Sequence, residues 1–171
     1  MSGYSEIIQV MGAMVIFSLI LLSSNAMILR NGMFQVEGEL EREVIALGQE
    51  IIEESLTKSF DRVTVGAEAP PAQIPGGFTP ADQLGRDPEN TPRSQFTWFD
   101  EYHGWSDTFV TAHGEFEVSA EVFYVDPVQF EQVTGPTTFK KIEVTVQSRD
   151  LTRDGEPIRY RLEFIRNYYA D

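Results

Sequence analysis

Apolar and polar positions divide the chain into distinct stretches. Ile7–Leu29 reads IIQVMGAMVIFSLILLSSNAMIL, 23 residues without a charge. At ~1.5 Å per residue such a helix is ~34 Å long, enough to cross a hydrocarbon core of ~30 Å. From Phe34 the pattern becomes periodic. Val36, Leu40, Val44, Leu47, Ile51 and Ser55 follow steps of 4, 4, 3, 4 and 4, and Ile45, Ile52, Leu56 and Phe60 widen the stripe. Glu37, Glu39, Glu41, Glu43, Glu50, Glu53 and Glu54 fall largely off it, so the stretch predicts an amphipathic helix. No proline occurs before Pro70. One helix is therefore predicted from about Tyr4 to about Phe60. Its weak points are Ser23-Ser24-Asn25 and Asn31-Gly32, where a kink or an unwound stretch is expected. Asn31-Gly32 also reads as a helix C-cap.

The pattern changes again after the helix. Residues 63–107 carry Pro70-Pro71, Pro75-Gly76-Gly77, Pro80, Pro88 and Pro92, a density that excludes regular helix or central strand. This predicts a long loop wrapped over the fold. Within it, Phe96, Trp98, Phe99, Tyr102 and Trp105 form an aromatic run. These rings either pack the loop onto the sheet or present a partner surface. Three alternating strands follow. Phe116, Val118, Ala120, Val122 and Tyr124 share one face of the first, which Asp126-Pro127 ends. Ile142, Val144 and Val146 point inward from the second, and Ile158, Tyr160, Leu162 and Phe164 from the third. Thr108–Ala112 adds a candidate short strand, and Asp154-Gly155 is a hairpin-turn signal. The expected fold class is α+β: a long N-terminal helix, half membrane-spanning and half amphipathic, packed on a C-terminal antiparallel sheet. The expected divisions are 1–33, 34–62, 63–107 and 108–171.

Composition sharpens this picture in two ways. Thirteen Lys+Arg against 27 Asp+Glu give a formal charge of −14, and every acidic residue but Glu6 follows the apolar run. A duplex backbone repels such a surface, so no nucleic-acid partner is expected. The chain has no cysteine, which excludes a disulfide framework and thiolate chemistry. No phosphate loop, dinucleotide fingerprint, nucleophile elbow or H-E-x-x-H occurs. His103 and His113 read as loop or strand-end residues. Asp82, Asp87, Glu89, Asp100, Glu101 and Asp107 lack calcium-loop spacing and read as solvated surface. No cofactor, metal or enzymatic activity is expected. The apolar run itself has three readings: a cleaved signal, a plain single-pass anchor, or a helix that moves from membrane to assembly. The absence of Lys or Arg before it and its length argue against the first.

The whole pattern resembles the type IV pilin and type II secretion pseudopilin superfamily. It has an uncharged N-terminal helix, an amphipathic extension, a variable loop and a terminal antiparallel sheet. Ala46-Leu-Gly-Gln-Glu-Ile-Ile-Glu-Glu54 looks like the family's small, apolar, polar, acidic pattern late in its long helix. Phe139-Lys-Lys-Ile-Glu-Val-Thr-Val146 looks like the lysine-isoleucine-alternating-valine strand of many pilin-like proteins. The resemblance implies that Glu6, fifth if Met1 is removed, would neutralise a neighbour's amino terminus during assembly. It implies a helical polymer of identical subunits, held in the inner or cytoplasmic membrane first and then at the cell surface or in the periplasm, with assembly machinery. Glu6, Gly12, Ala13, Phe17, Ser18, Leu22 and Ala26 are the candidate assembly residues. The rival expectation is a monomeric membrane-anchored binding module whose surface is the aromatic run 96–105.

Overall fold

The computed structural model describes residues 2–64, 72–85, 92–153 and 156–170. It is an α+β fold with one long N-terminal helix and a four-stranded antiparallel sheet. Helix α1 spans Ser2–Leu56. Strands β1 (Trp105–Thr111), β2 (Gly114–Tyr124), β3 (Phe139–Arg153) and β4 (Glu156–Asn167) lie in the order β1-β2-β3-β4. Each neighbour pairs antiparallel, so the sheet is a meander.

The helix corrects three expectations. It has no unwound stretch at Ser23–Asn25 and no cap at Asn31-Gly32, since helical geometry continues through both. Helix propagation is cooperative, and one glycine costs only ~1 kcal/mol against an unbroken ladder on both sides. The helix also stops at Leu56 rather than Phe60. Its last turn tightens where the Thr57 and Lys58 N–H groups donate to the Glu54 and Ser55 carbonyls, at 3.1 and 3.2 Å. Phe60 thereby leaves the helical stripe. It joins Phe78 and Tyr168, with ring centroids 5.1–5.4 Å apart.

The chain forms two compact units, residues 1–42 and 43–171. The described part of the first is helix alone. The second has the core. Its share of α1 buries Val44, Gly48, Ile51, Ile52 and Ser55, close to the predicted stripe. Gly48 was outside that stripe and is decisive: a Cβ there would meet Leu162 Cδ1 at 2.8 Å. The helix backbone therefore lies directly on β4. Phe116, Val118, Ala120, Val122 and Tyr124 of β2 and Ile142, Val144 and Val146 of β3 are all buried, on the faces their alternation predicts. Cross-strand pairs such as Val118–Val146 and Val122–Ile142 stack these side chains in register.

β4 departs from its expected inward face. Ile158, Tyr160 and Leu162 are half-buried, and Phe164 is exposed. The reason is position: β4 is an edge strand and has a neighbour on one side only. β3 extends beyond residue 147 to Arg153, across a register shift against β4 between Gln147 and Thr152. β1 begins at Trp105, three residues before the predicted short strand. The Asp154-Gly155 turn lies outside the described residues. In the proline-rich region the described residues form short 3-10 turns at Ala81–Gln83, Arg93–Gln95 and Phe99–Tyr102.

Candidate functional site

In the N-terminal unit the uncharged run is one helical surface, exposed throughout among the described residues. The apolar window is long enough to cross a membrane or to serve as a signal sequence, and none of it is buried. Glu6, Gly12, Ala13, Phe17, Ser18, Leu22 and Ala26 are all exposed on it. At 3.6 residues per turn, Glu6, Ala13 and Phe17 fall in one sector, and Ser18, Leu22 and Ala26 in another with Gly12 at its edge. A Cβ on Gly12 would meet nothing within 4 Å. Ser18 donates its hydroxyl to the Met14 carbonyl at 2.8 Å, which satisfies that polar group without water. Glu6 makes no ion pair among the described residues.

The aromatic run does not form a surface. Phe96, Phe99, Tyr102 and Trp105 are buried, and only Trp98 is partly exposed. They pack the loop down. Tyr102 stands edge-on to Phe96 at 5.0 Å and to Trp105 at 6.4 Å. Its hydroxyl donates to Glu54 of α1 at 2.9 Å. Arg93 pairs with Glu50 and Glu54 at 3.2 and 3.3 Å and covers Trp105 and Phe109. Large rings in a proline-rich loop have a sheet to cover, and burial outweighs display.

The same loop builds a feature that the reading by residue type missed. Lys140 is fully buried. Its ammonium donates to Asp61 Oδ2 at 2.8 Å, Asp100 Oδ1 at 2.8 Å and the Phe60 carbonyl at 2.9 Å. Its position follows from strand period: Lys140 shares the inward face of Ile142, Val144 and Val146. The two carboxylates come together through one parallel bridge, Ser59–Trp98, in which the Ser59 N–H donates to the Thr97 carbonyl and the Phe99 N–H to the Ser59 carbonyl. Asp61 and Asp100 each lie two residues past that bridge, hence side by side. Asp100 and Glu101 are therefore buried rather than solvated, against expectation. Glu101 turns inward to accept the Thr97 and Trp98 N–H groups.

The two aspartates differ electrostatically. Burial pushes Asp61 up, but the Lys140 charge and hydrogen bonds from Lys140, Thr79 and the Val63 N–H outweigh it, so its carboxyl lies below the usual range. Thr79 Oγ1 donates to Asp61 at 2.8 Å, and the Tyr124 hydroxyl lies 3.1 Å away. Asp100 is raised, because burial there exceeds the pull of Lys140. The cluster is walled by aromatic faces. Lys140 Nζ lies 4.8 Å from the Phe60 centroid and 5.1 Å from that of Tyr124. Arg166, paired with Lys140 across β3 and β4, covers Phe60 and Phe99.

The remaining polar candidates stay at the periphery. Asp82 and Asp107 are exposed, while Asp87 and Glu89 lie outside the described residues. His103 accepts the Val122 N–H at 3.2 Å, and His113 lies 2.7 Å from Glu43. Among the described residues no three His, Asp or Glu side chains converge as metal ligands. No family model, curated protein or solved structure matches the chain. The architecture is consistent with the pilin-like resemblance without being specific to it.

Proposed function

We propose that the chain is a structural subunit of a pilus-like or pseudopilus-like helical filament, without enzymatic activity. One observation carries the reading: among the described residues, none of the apolar run of α1 is buried. Some 23 uncharged residues require an apolar environment, and lipid or identical helices supply one equally. The subunit resides first in the inner or cytoplasmic membrane through Ile7–Leu29. It then enters a polymer at the cell surface or in the periplasm with the help of assembly machinery. Glu6 meets a neighbour's amino terminus, since a carboxylate beside a hydrocarbon-length run is costly unless paired. Gly12, Ala13, Ser18 and Ala26 allow close helix approach, with Phe17 and Leu22 filling the space between. The acidic C-terminal unit faces solvent and disfavours lateral clumping.

The monomeric binding-module reading loses its main support, because the rings assigned to its ligand surface lie in the core. Shearing cells that express the full chain and imaging the released material tests the filament reading. The wild type is expected to yield fibres, and Glu6→Ala few or none. Wild-type cells without fibres, or fibres in equal number with Glu6→Ala, contradict the reading or its paired charge respectively.

A further inference from the structure

We propose that Lys140 and Asp100 condense to an intramolecular amide, with Asp61 as the proton carrier. The observation is the juxtaposition of a buried amine with two buried carboxyl groups, each in hydrogen-bond contact at 2.8 Å. An ordinary structural lysine needs one counter-ion. Here two carboxylates contact one ammonium, which the Phe60 and Tyr124 faces cover, with the Arg166 guanidinium on the Phe60 ring as well. Keeping a desolvated ammonium and a desolvated carboxylate ionised is costly. Condensation removes one positive and one negative charge from the interior and leaves a neutral amide beside a single well-bonded carboxylate.

The two acids are suited to different parts. Asp61 is held on both oxygens by Thr79, the Val63 N–H and the Tyr124 hydroxyl, so it is fixed and ionised. Asp100 is bonded by Lys140 and its own N–H, and burial favours its neutral form. The neutral acid is the better acceptor of a nucleophile. In the reaction, one ammonium proton passes from Lys140 Nζ to Asp100, leaving an amine against a carboxylic acid. The Nζ lone pair bonds to Asp100 Cγ. Asp61 takes a second proton from nitrogen and delivers it to the departing hydroxyl oxygen, the C–O bond breaks, and one water leaves. The products are the Lys140–Asp100 amide, water and an unchanged Asp61 carboxylate. Nothing is oxidised or reduced, and no co-reactant is needed.

Fixed contact gives such a step a large effective molarity, and expulsion of the water from a dry site draws it forward. The amide would fasten the 99–102 turn to β3. In a chain without cysteine it would be a covalent tie that no reductant opens.

The test is the intact mass of the folded full chain, extracted in detergent, followed by two digests. The expected mass is one water below that of the sequence. Trypsin should then fail to cut after Lys140 and leave 94–141 as one dehydrated fragment. A protease cutting after aromatic residues should release the Asp100 and Lys140 pieces still joined. Lys140→Arg is expected to restore the full mass, and Asp61→Asn to lower the linked fraction at least tenfold. The wild-type digest decides alone if these variants do not fold. A full-mass folded wild type overturns the proposal. So does a water loss mapped to Asp154-Gly155 as a succinimide, or a link that joins Lys140 to Asp61 in the 59–62 fragment.

Discussion

Val15 and Val44 lie on the same helix, yet 59 % of Val15 is exposed and 1 % of Val44. Gly12 and Gly48 differ in the same direction: one has open space where a Cβ would go, the other has Leu162. Residues 43–171 bury a core of their own, through a sheet, a loop and one stripe of helix. Residues 7–29 do not. The contrast teaches that folding of this chain alone explains its C-terminal unit. The apolar run of the N-terminal unit is exposed among the described residues, and the proposed function assigns its cover to lipid or to identical copies.

Substitutions that act in one unit and leave the other untouched test this division. The largest effect is expected for Lys140→Ala. It leaves the buried Asp61 and Asp100 carboxylates side by side without the ammonium between them, at a cost of about 3–5 kcal/mol. Chemical denaturation followed through the two tryptophans should show it, with membrane partitioning unchanged. Next is Leu19→Arg. A cation at the centre of the run costs about 2.5–3.5 kcal/mol of insertion, on the order of 100-fold. Membrane fractionation should show the loss while the denaturation midpoint stays put. A shifted midpoint would mean that the two units are energetically coupled.

Gly48→Leu should have a smaller effect. Overpacking against Leu162 costs about 1–3 kcal/mol, partly offset by a gain of about 1 kcal/mol in helix propensity. Gly12→Leu should leave the denaturation midpoint unchanged and alter only assembly. If both glycines respond alike in denaturation, the contrast between the units fails.

The last effect vanishes at neutral pH. Tyr102 and Tyr124 are both raised above the ordinary 10.0, chiefly by burial, then by Glu54 and Asp61 respectively. A raised folded-state value contributes stability that is complete below pH 10 and is lost as pH climbs past it. Following tyrosinate absorbance and circular dichroism together, two of the six tyrosines should ionise only as the C-terminal unit unfolds. Full titration of all six in the native state would contradict their burial.

Much of the fold was legible because period reports burial. The stripe through Val44, Ile51 and Ser55 and the alternation in β2 and β3 each placed residues correctly. The alternation also contained Lys140, whose parity puts it inside with Ile142; judging it by charge alone hid it. What could not be read was the bridge Ser59–Trp98. It joins segments far apart in the chain, and no local pattern signals that Asp61 and Asp100 meet. Edge position is likewise a property of the assembled sheet, so Phe164 looked like the buried residues it imitates. The unbroken helix at Asn31-Gly32 shows that a weak local breaker yields to a long cooperative ladder. For the proposed assembly surface, composition marked the run, while the structure adds that none of it is buried among the described residues.

The central claim is that identical copies cover the apolar run of α1. It is tested most directly by removing detergent from the purified full chain and imaging the product by electron microscopy at a resolution that traces helices. The account predicts ordered fibres with Ile7–Leu29 packed at the axis and the C-terminal units outside. Monodisperse monomers at the same concentration, or fibres whose axis is built from the β-sheets, would contradict it.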